Sequence, residues 1–338
     1  MKSVTQRISE IKQPYGGYIK PSSFNIINLN DNIDLYENEN ISPGLVGLAV
    51  DYMTRYICSN NKEDSFKISL MGAEIANESK KAYKLLDSIE GLDNISIINA
   101  CKLCGYDVCY RSGISGFKNV DGINPDNNTI FNIKTMVKRG INFFQLYGPI
   151  VKDGITFKGG YTSIISCGDA DFITRDTLWD FKVSKSNPTK NHTLQLLVYY
   201  LLGMHSYECD FSCIKKLGIF NPRINTVYIY NIDNISNDII IEVEKNVIGY
   251  GSNIKSKSDF MTIADIMKQL GCSRHIVMKY YSEYGLPLRK EKNKYVINKI
   301  DYLMWLEKMK ALREKEFENT IKLVILVILF LFILFILF

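Results

Sequence analysis

The chain has 338 residues, too many for one ordinary hydrophobic core and enough for about two domains at roughly 100–200 residues each. Hydrophobic residues make up 46% and charged residues 23%, which excludes a wholly disordered chain. The net charge of +5 names no partner by itself, but it is uneven: residues 255–322 hold 15 Lys/Arg and 9 Asp/Glu, or +6, so everything else sums to −1.

No charged-then-apolar leader follows Met1, so no signal peptide is read and a cytoplasmic setting is expected. In such a chain the eight cysteines are expected as free thiols and not as a disulfide framework. Residues 1–41 are polar, with Asn/Asp clusters, and read as a loosely structured lead-in. Ser42-Pro43 then opens a helix to about Ile57, with Ser at the cap and Pro where no N–H partner exists. Further helical patterns cover roughly residues 68–89 and 95–103. Between Tyr161 and Tyr230, short β-branched and aromatic runs (162–173, 178–183, 217–220, 226–230) surround one helix over about 193–203. Strands mixed with helices predict an α/β or α+β domain over 42–250, closed by a helix near 237–247 and a small-residue linker at 251–259.

The most informative stretch runs from Gly168 to Lys182. Two strands joined by a tight turn at Arg175-Asp176 pair residues whose numbers sum to 351, so Asp171 faces Asp180 with Cβ atoms about 4.5–5.5 Å apart. Lys182 shares the face of Asp180. Two facing carboxylates repel, and a divalent cation offsets that repulsion; Mg²⁺ takes oxygen ligands of this kind. The competing reading is an exposed hairpin with ordinary surface charges, which Trp179 and Phe181 oppose because they make the strands half-buried. In the helix that follows, Gln195 and Tyr199 lie four apart on one face.

Together these residues resemble the PD-(D/E)xK nucleases, specifically their RecB-like branch: a Gly-x-x-Asp strand (Gly168 to Asp171), an Asp-x-Lys strand (Asp180-Phe181-Lys182) and a Gln-x-x-x-Tyr helix (Gln195, Tyr199). The resemblance covers roughly residues 42–235. It implies a restriction-endonuclease-like core, a mixed sheet flanked by helices, and hydrolysis of DNA phosphodiesters. It implies Mg²⁺ or Mn²⁺ held by Asp171, Asp180 and the Phe181 carbonyl, with Lys182 as catalytic lysine and Gln195 and Tyr199 steadying the site or the DNA strand. Gly47 to Asp51 looks like the family's earlier helix, with Asp51 as a further ligand and Glu74 as its rival. Cys101, Cys104 and Cys109 have metal-ligand spacing, and zinc would need a fourth ligand, for which Cys58 is a candidate. Their apolar neighbours favour buried structural thiols over zinc or an iron–sulfur cluster.

Residues 260–310 form a compact basic unit. Thr262 caps a helix to Leu270, Gly271-Cys272-Ser273 is a tight turn, and a second helix over about 274–284 carries Ile276, Val277 and Tyr280 inward. A basic turn precedes the strand Tyr295-Val296-Ile297, and a third helix, about 299–310, packs Ile300, Leu303 and Leu306. This order resembles the MerR/excisionase-type winged helix-turn-helix, which implies DNA contacts from Ser273, Arg274, Lys279, Arg289, Lys290 and Lys292. A small helical unit that binds protein is the alternative. The tail, residues 323–338, runs from Leu323 to Phe338 and holds only Leu, Ile, Val and Phe. As a helix it spans about 24 Å against a roughly 30 Å hydrocarbon core, so it reads either as a marginal membrane anchor or as a sequence artefact. The expected function is a metal-dependent DNA nuclease with an appended DNA-binding module. The alternatives are a non-catalytic DNA-binding regulator on a nuclease-like scaffold and a membrane-associated adaptor.

Overall fold

The structure is a computed structural model that describes residues 2–59, 61–207, 210–250, 260–291, 294–298, 301–303, 305–306 and 308–310. The expected linker 251–259, Lys292, Ile300 and the tail 323–338 lie outside the described residues. Among the described residues no helix is long and apolar enough to cross a membrane.

The protein is mixed α/β. Six strands form the main sheet: β1 (Asn25–Asn28), β2 (Ile150–Ile155), β3 (Ala170–Thr174), β4 (Thr177–Phe181), β5 (Lys216–Asn221) and β6 (Thr226–Asn231). Their spatial order is β1-β6-β5-β4-β3-β2. Only β4 and β5 run parallel; every other neighbouring pair is antiparallel. A parallel pair needs a crossover, and three helices flank the sheet: α1 (Pro43–Ser59), α2 (Asn127–Tyr147) and the crossover α3 (Lys190–Met204).

Side chains alternate across β4, and each face has its own core. Phe172, Trp179, Phe181 and Phe220 pack with Val46, Val50 and Met53 of α1 and Met136, Val137 and Phe143 of α2. Phe143 stacks on Phe220 at 4.3 Å and meets Trp179 edge-on at 4.8 Å. Ile173, Leu178, Leu217 and Ile219 face the other way, under Leu194, Leu197, Val198 and Leu201 of α3. All five residues of β4 are buried, which marks it as the sheet's central strand. Gly218 permits this packing, since a Cβ there would stand 2.3 Å from the Trp179 ring.

Residues 2–41 are not a loose lead-in. The Val4–Glu10 helix starts with a Ser3/Gln6 capping box and buries Val4 and Ile8, and β1 completes one edge of the main sheet. The Asn/Asp-rich loop that follows takes its hydrogen bonds from α2. Arg139 grips Asp31 with two bonds of 2.7 Å and donates to the Ile33, Pro222 and Arg223 carbonyls. Asn132 bonds the Tyr36 backbone in both directions. This long helix and β2 have no counterpart in the sequence reading. The buried face of α2 carries Thr129, Asn132, Thr135 and Arg139 among its apolar residues, which blurs the periodic pattern. The expected single helix over 68–89 is two, Lys67–Ile75 and Ser79–Asp87, broken where Asn77 takes a left-handed conformation.

The C-terminal unit holds helices Ile263–Leu270 and Arg274–Glu283 and a three-stranded antiparallel sheet of Phe260–Thr262, Arg289–Glu291 and Lys294–Asn298. Thr262 forms a capping box with Asp265, and Gly271 ends the first helix at φ 62°. Ile263, Ile266, Val277, Leu286, Ile297, Tyr302 and Trp305 fill its core. Ile276 and Leu303 are exposed instead of inward, because Tyr302 and Trp305 take the interior and Trp305 Nε1 donates to the Tyr284 carbonyl at 2.9 Å.

Arg139 holds Asp31 below the ordinary carboxylate range, chiefly by hydrogen bonding. The folded protein therefore favours the ionised form. The resulting stability is full above the unfolded value near 3.8 and disappears as pH falls through the lower folded value. Chemical denaturation is expected to find Asp31→Asn less stable than wild type at pH 7 and equal to it in strong acid. Arg139→Ala should cost about 3 kcal/mol at pH 7.

Candidate functional site

The β3–β4 hairpin positions the candidate site. Its pairs are Phe172 with Trp179, Ile173 with Leu178 and Thr174 with Thr177, each summing to 351. The turn is Arg175-Asp176, with Arg175 at φ +39°. One step further, the same register sets Asp171 opposite Asp180. Phe172 and Trp179 point into the α1/α2 core, so Asp171 and Asp180 point to the α3 side. Asp171 Oδ2 accepts the Phe181 N–H at 2.6 Å, and Lys182 Nζ lies 3.1 Å from Asp180 Oδ1.

Asp180 is 2% exposed, and its Oδ2 has no hydrogen-bond partner among the described residues. Burial pushes its carboxyl up to about 6; Lys182 pulls it down, and Asp171 adds to the rise. Burial alone would lower Lys182, but Asp180, Asp171 and Asp51 outweigh it and raise the ammonium above its ordinary value. Lys182 is therefore a cation at neutral pH.

α1 brings Asp51 to the same place. Asp51 is pushed up by burial, pulled down by Arg55 and pushed up by Asp171. Arg55, one turn on, clamps Asp51 through Nε at 2.8 Å and Nη2 at 3.1 Å, and Nη2 lies 3.8 Å from Asp171 Oδ1. The sequence reading omitted Arg55, although the i, i+4 spacing from Asp51 signals it. The neighbouring Tyr52 donates to buried Asp107 at 2.6 Å, which ties α1 to the Asp107–Ser112 helix. Glu74, the rival to Asp51, is exposed and in no ion pair among the described residues.

α3 covers the carboxylates. Gln195 Nε2 donates to Tyr199 Oη at 2.8 Å, and both side chains are buried. The Tyr199 phenol is pushed far up by burial, and Asp180 and Asp171 add to this. Its ring stacks on Phe157 at 5.4 Å. Gly168 passes close by: a Cβ would meet Val4 Cγ2 at 2.6 Å and Tyr199 Cε1 at 3.4 Å. His192, one turn before Gln195, also escaped the sequence reading. Its Nδ1 accepts the Thr189 N–H at 3.2 Å, and burial together with Lys182 lowers its pKa, so it is neutral at pH 7.

The remaining candidates lie elsewhere. Cys101, Cys104 and Cys109 are buried, and burial raises all three thiols, Cys101 to about 12; Cys58 is exposed. In the C-terminal unit Ser273, Arg274, Lys279, Arg289 and Lys290 are all exposed. Ser273 stands at the N-cap of the Arg274–Glu283 helix, Lys279 pairs with Glu283 at 3.7 Å, and Arg289 and Lys290 lie on an edge strand.

Among the described residues, no three His, Cys, Asp or Glu side chains already form a set that could hold a metal ion. The cluster nonetheless fits a hard divalent cation: its donors are all oxygen, and the buried Asp180 Oδ2 is uncommitted. Three carboxylates (Asp51, Asp171, Asp180) face two cations (Arg55, Lys182), and Arg111 adds a further positive charge that favours the ionised form of Asp51. Compared with known protein families, curated proteins and solved structures, the chain matches none.

Tyr199→Phe is expected to leave the melting temperature within a few degrees of wild type, since one hydrogen bond contributes about 1 kcal/mol. Gly168→Ala should lower it further, because Val4 must give way. A thermal melt of both variants checks the order.

Proposed function

We propose that the protein is a divalent-cation-dependent DNA nuclease with a PD-(D/E)xK, RecB-like catalytic unit of restriction-endonuclease-like fold. Its C-terminal unit, a winged helix-turn-helix of MerR/excisionase type, binds DNA. The observation that carries the reading is the meeting of Asp171, Asp180 and Lys182 on one face of the sheet, with one buried carboxylate oxygen left without a partner among the described residues.

Asp171, Asp180, the Phe181 carbonyl and Asp51 would hold Mg²⁺ or Mn²⁺. When bound, such an ion neutralises charge on a phosphate and makes water more acidic. Lys182 keeps its proton beside Asp180, so it acts as a donor and a positive charge and not as a base. It orients the attacking water and stabilises the negative charge that builds on the phosphate oxygens. The water oxygen bonds to phosphorus and gives up a proton to solvent, the bond from phosphorus to the leaving sugar oxygen breaks, and that oxygen takes up a proton from solvent water. Gln195 and Tyr199 hold the α3 wall of the site in place. Arg274, Lys279, Arg289 and Lys290 meet DNA phosphates, which adds affinity separate from the chemistry.

Full-length protein is incubated with linear and circular DNA and Mg²⁺ or Mn²⁺, beside Asp180→Ala and Lys182→Ala. Each variant should lose about 10²–10³-fold in cleavage rate. Equal cleavage by wild type and variants contradicts the proposal, and DNA binding without any cleavage supports the regulator instead. The double variant Arg274→Ala with Lys279→Ala should bind DNA more weakly and flatten the salt dependence by about 0.9 for each phosphate it no longer neutralises.

A further inference from the structure

Arg55 is a cation whose place in the cluster the proposed chemistry leaves unexplained. Its guanidinium takes both oxygens of Asp51, at 2.8 and 3.1 Å, and its Nη2 faces Asp171 Oδ1 at 3.8 Å. The other Asp171 oxygen accepts the Phe181 N–H, and Asp180 Oδ1 faces Lys182. Among the described residues, Asp180 Oδ2 is the carboxylate oxygen of the cluster left uncommitted. A divalent cation needs several oxygens at once, with about six for Mg²⁺ including waters. It cannot gather the Asp51 oxygens while the guanidinium clamps them, and the same guanidinium places its charge 3.8 Å from Asp171 Oδ1. The side chain is four-fifths buried, at 18% relative exposure, so this is a built contact and not a passing surface pair.

We infer that Arg55 is the resident counter-ion of the cation-free site, that the divalent cation must displace its guanidinium from the carboxylates, and that the released guanidinium then grips a phosphate of the DNA strand. The inference rests on the proposed nuclease reading and deepens it. It makes Arg55 a positioning and substrate-binding residue at the carboxylates and a competitor of the metal. A guanidinium suits both partners, because its planar fork matches carboxylate and phosphate oxygens alike. Metal and DNA then assist each other: each takes one partner of the Asp51–Arg55 pair, so neither is left buried and unpaired.

The test uses full-length protein and Mn²⁺ as the probe, read by electron paramagnetic resonance of the free ion in the absence of DNA. Arg55→Gln is expected to bind Mn²⁺ about tenfold more tightly than wild type, equivalent to about 1.4 kcal/mol. Arg55→Lys, which keeps the charge but loses the fork, should bind Mn²⁺ with an affinity between those of wild type and Arg55→Gln. In cleavage assays Arg55→Gln should half-saturate at lower Mn²⁺ while its KM for DNA rises. A residue that merely supports the fold would not move these two constants in opposite directions. In EDTA, Arg55→Gln should melt below wild type and recover more of its melting temperature than wild type does when Mn²⁺ is added, which separates lost counter-charge from misfolding. Equal or weaker Mn²⁺ binding by Arg55→Gln overturns the inference while leaving the nuclease reading intact. Wild type and Asp171→Asn/Asp180→Asn that both fail to bind Mn²⁺ overturn the nuclease reading and the inference with it.

Discussion

A carboxylate buried on the central strand of a sheet is the constraint around which this protein is arranged. Asp180 is 2% exposed and lies in a strand whose every residue is covered. An unpaired charge there would cost several kcal/mol, so neighbouring groups must hold it. Lys182 does so from just past the end of that strand. The hairpin register adds Asp171 across the ladder, and α1 adds Asp51 with Arg55. The cluster sits where α1, β3, β4 and α3 meet, and each of these elements is fixed by an apolar core on its own side of the sheet.

The electrostatics follow from that placement. Desolvation raises Asp180 to about 6, so its proton leaves near neutrality. Lys182 and Arg55 stay charged throughout. The site joins two cations and three carboxylates, one of whose buried oxygens has no partner among the described residues. This is the physical basis of the proposed metal-dependent hydrolysis.

The hairpin was legible in the sequence because two strands with alternating faces and a two-residue turn leave a single register. Asp171, Asp180 and Lys182 converge for that reason, and Gln195 and Tyr199 follow from helical spacing in α3. Arg55 was hidden only because Asp51 was read as an isolated ligand. The long α2 escaped because its inner face mixes Asn132 and Arg139 with apolar residues. Those polar groups serve the loop at 29–41, and one chain segment does not announce that it is the missing partner of another. The same exchange explains why residues 2–41 looked loose. In the C-terminal unit the caps at Thr262 and Gly271 were readable, and so was part of the inward face: Val277 is buried and Tyr280 and Leu306 pack against the core, whereas Ile276 and Leu303 are exposed because Tyr302 and Trp305 take the interior.

The central claim is that Asp171 and Asp180 jointly hold a divalent cation. Anomalous diffraction from a crystal of the full-length protein soaked in Mn²⁺ tests this most directly. The account predicts a manganese peak within ligand distance of an oxygen from each of Asp171 and Asp180, with the Arg55 guanidinium no longer on Asp171. A well-ordered site with no peak there, or with the two carboxylates on opposite faces of the sheet, would contradict it.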